Sequence, residues 1–344
     1  MQLRFTTHAS DPGYMCTTKG ATVRHAIIPS SGSATKTCSE ADVLTAEKKD
    51  YLINVILSEA VSFLTQALRV LPMTSPNKVR PRNYYCDFFY VDCCAEDPNS
   101  ANTFMPPEAI SPGYSNTDFV LFVTARPTTG STIAWALTCD ENSPNGRPTA
   151  GHANFGPNQL STDPAVRHNQ VATAIHEIMH AMAFHEGKFS QFVFPGTNTR
   201  RTGTVVTYNE RGSSRIKKIN TPKVLEKIKE HFAQADCDAW QTPGGELEDD
   251  GGGGTAGSHW EKRVFMNEVM TGSVNANWPA VVSPITLALF EDSGWYTVDY
   301  DMADRLHWGA GEGCSFASEY CSTWSSQYFC SVRDERGCSP SRVR

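Results

Sequence analysis

Between residues 45 and 71 the apolar positions Leu52, Val55, Ile56, Ala60, Phe63, Leu64, Ala67 and Leu68 recur with a 3.6-residue period. That spacing predicts an amphipathic packing helix. Upstream, residues 1–44 read as irregular, with a strand-like Leu3-Arg4-Phe5. Downstream, β-rich runs follow at Tyr84 to Val91, Asp118 to Arg126 and Ser131 to Cys139, and Asn142 to Pro148 is a turn by composition. Gly151 to Phe155 predicts a short strand stopped by Pro157. From about Asp163 to Phe184 the chain becomes almost wholly apolar, which predicts a buried helix. Residues 186–258 are more polar and predict little regular structure beyond one helix near Pro222 to Ala235, with Lys223, Lys227 and Lys229 on solvated positions. The glycine- and acid-rich run Gly244 to Gly257 predicts a flexible segment. Regular structure resumes at His259, and a last helix is expected over Ser283 to Asp292.

The buried helix changes the picture because it carries His176-Glu177-Ile178-Met179-His180, an HExxH box. Residues four apart on a helix are turned by about 400°, so the two imidazoles share a face. Glu177 projects about 100° away, within reach of a water on a shared ion. A box of this kind on a solvated helix is often chance. Here the flanks are apolar, and unpaired buried polar groups cost several kcal/mol. A metal ion is the simplest common partner for the trio.

Length and charge narrow the classes. A chain of 344 residues can bury a large core in one to three domains. A net charge of −7 with scattered basic residues argues against nucleic acid as the main partner. No apolar run reaches 18 residues, so no transmembrane helix is expected. The first residues lack the apolar core of a signal peptide, and the last lack a hydrophobic anchor tail. The cysteines are 11, an odd number, with no CxxC pair. That pattern favours disulfides in an oxidising compartment over a zinc ribbon. Cys314, Cys321, Cys330 and Cys338 are spaced like a small stapled module. No Asn-x-Ser/Thr sequon is present.

The third metal ligand is less direct. Gluzincins use a Glu on a second helix, whereas metzincins extend the box to HExxHxxGxxH and place a Met beneath the metal. This chain reads HExxHxxAxxE, with Ala183 and Glu186 at the two diagnostic positions. His185 falls about 180° round the helix from His176 and points away. Three candidates remain: Glu186, Glu268 and His259. His259 precedes the segment Asn267-Glu268-Val269-Met270-Thr271, and a His followed by a Met-bearing turn is the metzincin order.

At this point the residues resemble a leishmanolysin-type metzincin, in which a long insertion parts the helix box from the third His. The resemblance extends over Ser115 to Val123, Ala134 to Cys139, Gly151 to Phe155, Gly257 to Trp260, Asn267 to Thr271, Phe290 to Tyr296 and Trp308 to Cys314. It implies an α+β, metzincin-like zinc peptidase with a mixed twisted sheet, an active-site helix, an inserted central region and a truncated cysteine-rich C-terminal part. The divisions expected are an N-terminal catalytic subdomain at 1–185, a central subdomain at 186–312 and the start of a cysteine-rich domain at 313–344. His176, His180 and His259 would hold one catalytic Zn2+, Glu177 would act as general base and Met270 as the Met-turn residue. Cys16 would pair with Cys38, Cys237 with Cys314, and Cys139 with one of Cys86, Cys93 and Cys94.

The function implied is zinc-dependent endopeptidase action on proteins or peptides, through a zinc-activated water, at the cell surface or outside the cell. Gly151 to Phe155 is the expected rim for an extended peptide, with His152 and Asn154 as candidate contacts. The competing expectation is a catalytically impaired relative that serves in binding or adhesion. Ala183 favours it, because the family's Gly there suits a conformation costly for a residue with a Cβ.

Overall fold

The computed structural model describes residues 1–5, 13–24, 35–80, 107–130, 132–142, 145–233, 235–251, 254–274 and 278–329. In chain order the first elements are β1 (Gln2–Phe5), β2 (Thr22–Arg24), β3 (Thr35–Thr37), α1 (Ala46–Tyr51), α2 (Ser58–Ala67) and β4 (Leu68–Arg69). There follow α3 (Pro107–Ile110), β5 (Val120–Thr124), β6 (Ala134–Glu141), β7 (Pro148–Phe155), α4 (Arg167–Met182) and α5 (Glu186–Phe189). Then come β8 (Val205–Glu210), β9 (Ser213–Ile219), α6 (Pro222–Phe232), β10 (Gly245–Glu246), α7 (Lys262–Phe265), α8 (Pro284–Asp292), β11 (Thr297–Val298) and α9 (Ser315–Ser318). The chain divides into two compact units, one of residues 1–66 and 70–183, the other of residues 67–69 and 184–344.

In the first unit a four-stranded sheet has the order β1-β5-β7-β6. β1, β5 and β7 run parallel, and β6 pairs antiparallel with β7. All five residues of β5 are buried, as expected of a parallel strand covered on both faces. β7 is longer than expected, beginning at Pro148, and all eight of its residues are buried. The amphipathic helix forms, but α1 and α2 are joined by a π-helical turn at Leu52–Leu57. That wider turn keeps Leu52, Ile56 and Leu57 on the buried side. The helix stops at Ala67, and β4 pairs antiparallel with β11 instead of continuing it to residue 71.

The strand expected at Tyr84 to Val91 lies outside the described residues. Cys16 is bonded to Cys38. Cys139 is disulfide-bonded as well, while Cys86, Cys93 and Cys94 lie outside the described residues.

The second unit corrects the expectation of an irregular 186–258. β8 and β9 form a hairpin, and β10 adds on the far side of β9. Its turn is Arg211-Gly212, with φ of 47° and 75°. Two left-handed residues in succession match the twist of a two-residue hairpin. The strands hide a charge: Lys218 is wholly buried, donating to Glu210 Oε1 at 2.8 Å. Glu210 also pairs with Arg211, and Glu246 with Arg211 and Arg263. A sequence of Arg, Lys and Glu therefore reads as solvated although it is internal. The segment Gly244 to Leu247 is likewise buried and paired, not flexible. Cys237 is bonded to Cys314, so Cys314 is not stapled to the later cysteines. Cys321 is a free thiol, and Cys330 and Cys338 lie outside the described residues. No described helix is long and apolar enough to cross a membrane.

Candidate metal centre

α4 is positioned by a close approach to the sheet. It packs on β6 and β7, and Thr138 Oγ1 donates to the Ala181 carbonyl at 2.9 Å. A Cβ on Gly151 would stand 2.7 Å from the Cβ of Ala181 and 2.9 Å from Phe119. Only a glycine in β7 lets the helix lie this near. Asp163 caps the preceding 3-10 turn by accepting from the Ala165 N–H.

On this helix the structure brings His176 and His180 together. Their Nε2 atoms are 2.9 Å apart and the rings are perpendicular. Glu177 is buried between them in sequence, only 6 % exposed. Burial pushes its carboxyl up to about 8. A buried carboxyl with no other cause acting on it is stabilised as a charge by a nearby cation.

The helix ends at Ala183, whose N–H donates to the Met179 carbonyl at 2.9 Å. Its φ is −163° and its ψ −31°. Such an extended φ is open to any residue, so the absence of a glycine introduces no strain there. His152 and Asn154 do not form a substrate rim, contrary to expectation. Both are fully buried. Asn154 Oδ1 accepts from the Arg126 N–H at 2.7 Å and from Thr124 Oγ1 at 2.8 Å, and His152 Nε2 bonds the same Thr124 oxygen. β7 is flanked by β5 and β6, so its backbone is already paired on both sides.

In the second unit His259 sits on a short extended segment. Its carbonyl accepts from the Glu248 N–H, and the next residue, Trp260, donates its N–H to the Met270 carbonyl, both at 2.9 Å. The His259 Nδ1 donates to the Thr255 carbonyl at 2.9 Å. A carbonyl on one ring nitrogen fixes the tautomer and puts the lone pair on Nε2, as in metal-ligating histidines. Burial holds the imidazole below its usual range and therefore neutral. Met270 is fully buried in a four-residue turn closed by Thr271 N–H to the Glu268 carbonyl at 3.2 Å. The sequence named neither Thr255 nor this bond, because a carbonyl partner carries no side-chain signature.

The other candidates fall away. Glu268 is 1 % exposed, and its carboxylate accepts from Met270 N–H at 2.6 Å, Ser283 N–H at 3.1 Å, Ser283 Oγ at 3.0 Å and the Thr286 hydroxyl. A carboxylate so engaged is core structure, which removes the gluzincin reading. Glu186 begins α5 and pairs with Lys217 at 3.8 Å. His185 caps the same turn, its Nδ1 accepting from Gly187 N–H.

The donor set on these elements is therefore three neutral imidazoles and a carboxylate, a set that suits zinc. The leishmanolysin family model, peptidase family M8, matches residues 3–344. A leishmanolysin-like peptidase of Caenorhabditis elegans is 32% identical over 342 residues, covering 82% of this chain and 50% of its own length. A leishmanolysin homolog of Crithidia fasciculata is 34% identical over 93% of this chain and 44% of its own. Leishmanolysin of Leishmania major is 30% identical over 97% and 50%. The chain thus spans about half the length of the curated relatives it matches. A match over nearly every residue, joined to the ordered set of helix box, distant His and Met-bearing turn, leaves one conclusion: the chain belongs to the leishmanolysin family.

Proposed function

We propose that the chain is a zinc-dependent endopeptidase that hydrolyses proteins or peptides. His176, His180 and His259 hold one zinc ion, Glu177 is the general base, and Met270 is an apolar floor beneath the imidazoles. The observation that carries this reading is the pair of Nε2 atoms 2.9 Å apart beside a desolvated carboxyl, in a chain of this family. Zinc held there would supply Lewis-acid polarisation of a carbonyl and lower the pKa of a water towards about 7. Glu177 takes a proton from the attacking water and delivers it to the leaving amine. The Thr255 carbonyl keeps the proton of His259 on Nδ1.

The subdomain division at 1–185, 186–312 and 313–344 belongs to the same proposal. The disulfides at Cys16–Cys38 and Cys237–Cys314 support an oxidising, extracellular or cell-surface setting. The impaired-relative reading loses its main support, since the Ala183 backbone is unstrained.

Zinc content tests the ligand set. Wild type is expected to carry one zinc per chain, and His176→Ala, His180→Ala and His259→Ala each to lose it. Retention of full zinc by His259→Ala would overturn the assignment.

A further inference from the structure

The strand that carries His259 and the turn that carries Met270 are fastened to each other through one closed ring of hydrogen bonds. Trp260 N–H donates to the Met270 carbonyl at 2.9 Å. Met270 N–H donates to Glu268 Oε2 at 2.6 Å. Glu268 Oε1 accepts from the Thr286 hydroxyl. The Thr286 oxygen in turn accepts from the Trp260 indole N–H at 2.8 Å, which closes the ring. Every member is buried: Trp260, Met270 and Thr286 are 0 % exposed and Glu268 1 %. Ser283 adds two more donors to Oε1, from the cap of α8. The anchor is thus a rigid helix start.

We propose that Glu268, acting through Thr286 and Trp260, is the positioning residue of the metal centre, holding the His259 strand and the Met270 turn in register. The proposal rests on the zinc-site reading above. Glu268 touches neither substrate nor metal in this role. Its two oxygens divide the task, since Oε2 faces only the Met270 N–H whereas Oε1 gathers the α8 donors. A buried network of this kind constrains its members when every donor is satisfied. Partners one shell removed from a metal typically change affinity by about 10–100-fold when lost.

Two substitutions separate positioning from folding. Thr286→Val removes the hydroxyl between Trp260 and Glu268, while Thr286→Ser restores it. Glu268→Gln can satisfy the α8 donors through its carbonyl oxygen, but it turns an NH2 towards the Met270 N–H. Asp292→Asn is the control. That buried carboxylate caps α6 through Lys223 N–H and Val224 N–H, at 2.7 and 3.0 Å, and takes no part in the ring.

The test is zinc affinity by competition with a chromophoric chelator on the folded chain, with thermal unfolding of the metal-free chain measured beside it. Thr286→Val and Glu268→Gln are expected to weaken zinc roughly 10-fold or more. Thr286→Ser should stay near wild type, and Asp292→Asn should lose stability without losing zinc. Should Glu268→Gln fail to fold, the Thr286 pair decides alone. Wild-type affinity in a folded Thr286→Val would overturn the proposal. An equal loss of zinc in Asp292→Asn would overturn it too, by showing that instability alone weakens the metal. Failure of the wild type to bind zinc would instead refute the zinc-site reading.

Discussion

A buried carboxyl raised to about 8 is a proton acceptor in waiting, and Glu177 is the residue on which the proposed chemistry turns. Glu177→Gln keeps shape and burial while removing the base. It is expected to retain zinc and to lose about 100-fold or more in kcat. Unchanged kcat with zinc bound would remove Glu177 from the mechanism. Ala183 gives the opposite kind of prediction. Because its φ is −163°, Ala183→Gly should leave zinc affinity at the wild-type level. A large gain in affinity would show that the side chain had been in the way. At this scale the sequence revealed the helix box fully, because both ring spacing and apolar flanks are local. It did not reveal the role of Glu268, whose partners Ser283 and Thr286 are 15 and 18 residues away. The short spacing of Glu268 from Asn267 and Met270 invited a ligand reading that its hydrogen bonds exclude.

Among the elements, α4 and α8 were legible from long apolar runs, and Ser283 was placed correctly as the start of α8. The β8–β9 hairpin was not. Its turn uses Arg211-Gly212 in place of the usual Asn-Gly signal, and its interior position is held by Lys218, whose charge is neutralised by Glu210 only after the strands meet. β7 was legible as a strand but not as an inner one, because His152 and Asn154 look like edge polarity until Thr124 and Arg126 satisfy them. The approach of α4 to β7 yields a prediction. Gly151→Ala inserts a methyl 2.7 Å from Ala181, and overpacking of that kind costs roughly 1–3 kcal/mol. Urea unfolding of the variant measures it, and an unchanged midpoint would show that the helix can shift aside.

For the molecule as a whole, stability should depend on both redox state and acid. The Cys237–Cys314 bond closes 77 residues, and loops of that order are stabilised by about 2–5 kcal/mol. Cys237→Ser with Cys314→Ser should lower the midpoint of unfolding accordingly; no loss would mean that the buried salt-bridge network alone secures this region. Acid acts through His231. Its Nε2 donates to the Trp308 carbonyl at 2.9 Å, and burial pushes the imidazole down to about 4. The unfolded chain binds this proton first as pH falls. Stability contributed by the neutral ring is therefore complete above about 6.5 and is lost progressively towards 4. His231→Gln should flatten unfolding free energy across that window. An unchanged slope would place the acid sensitivity elsewhere. The two disulfides and the family were legible from motif order. The division into two compact units was not, since it depends on contacts between residues far apart in the chain.

The most direct measurement is cleavage of casein by the purified chain, with and without a zinc chelator, beside Glu177→Ala. The expected result is cleavage by the wild type that the chelator abolishes, zinc restores and Glu177→Ala lacks. A folded, zinc-loaded wild type that leaves casein intact, or a Glu177→Ala variant that cleaves as fast, would contradict the assignment of this chain as a zinc endopeptidase.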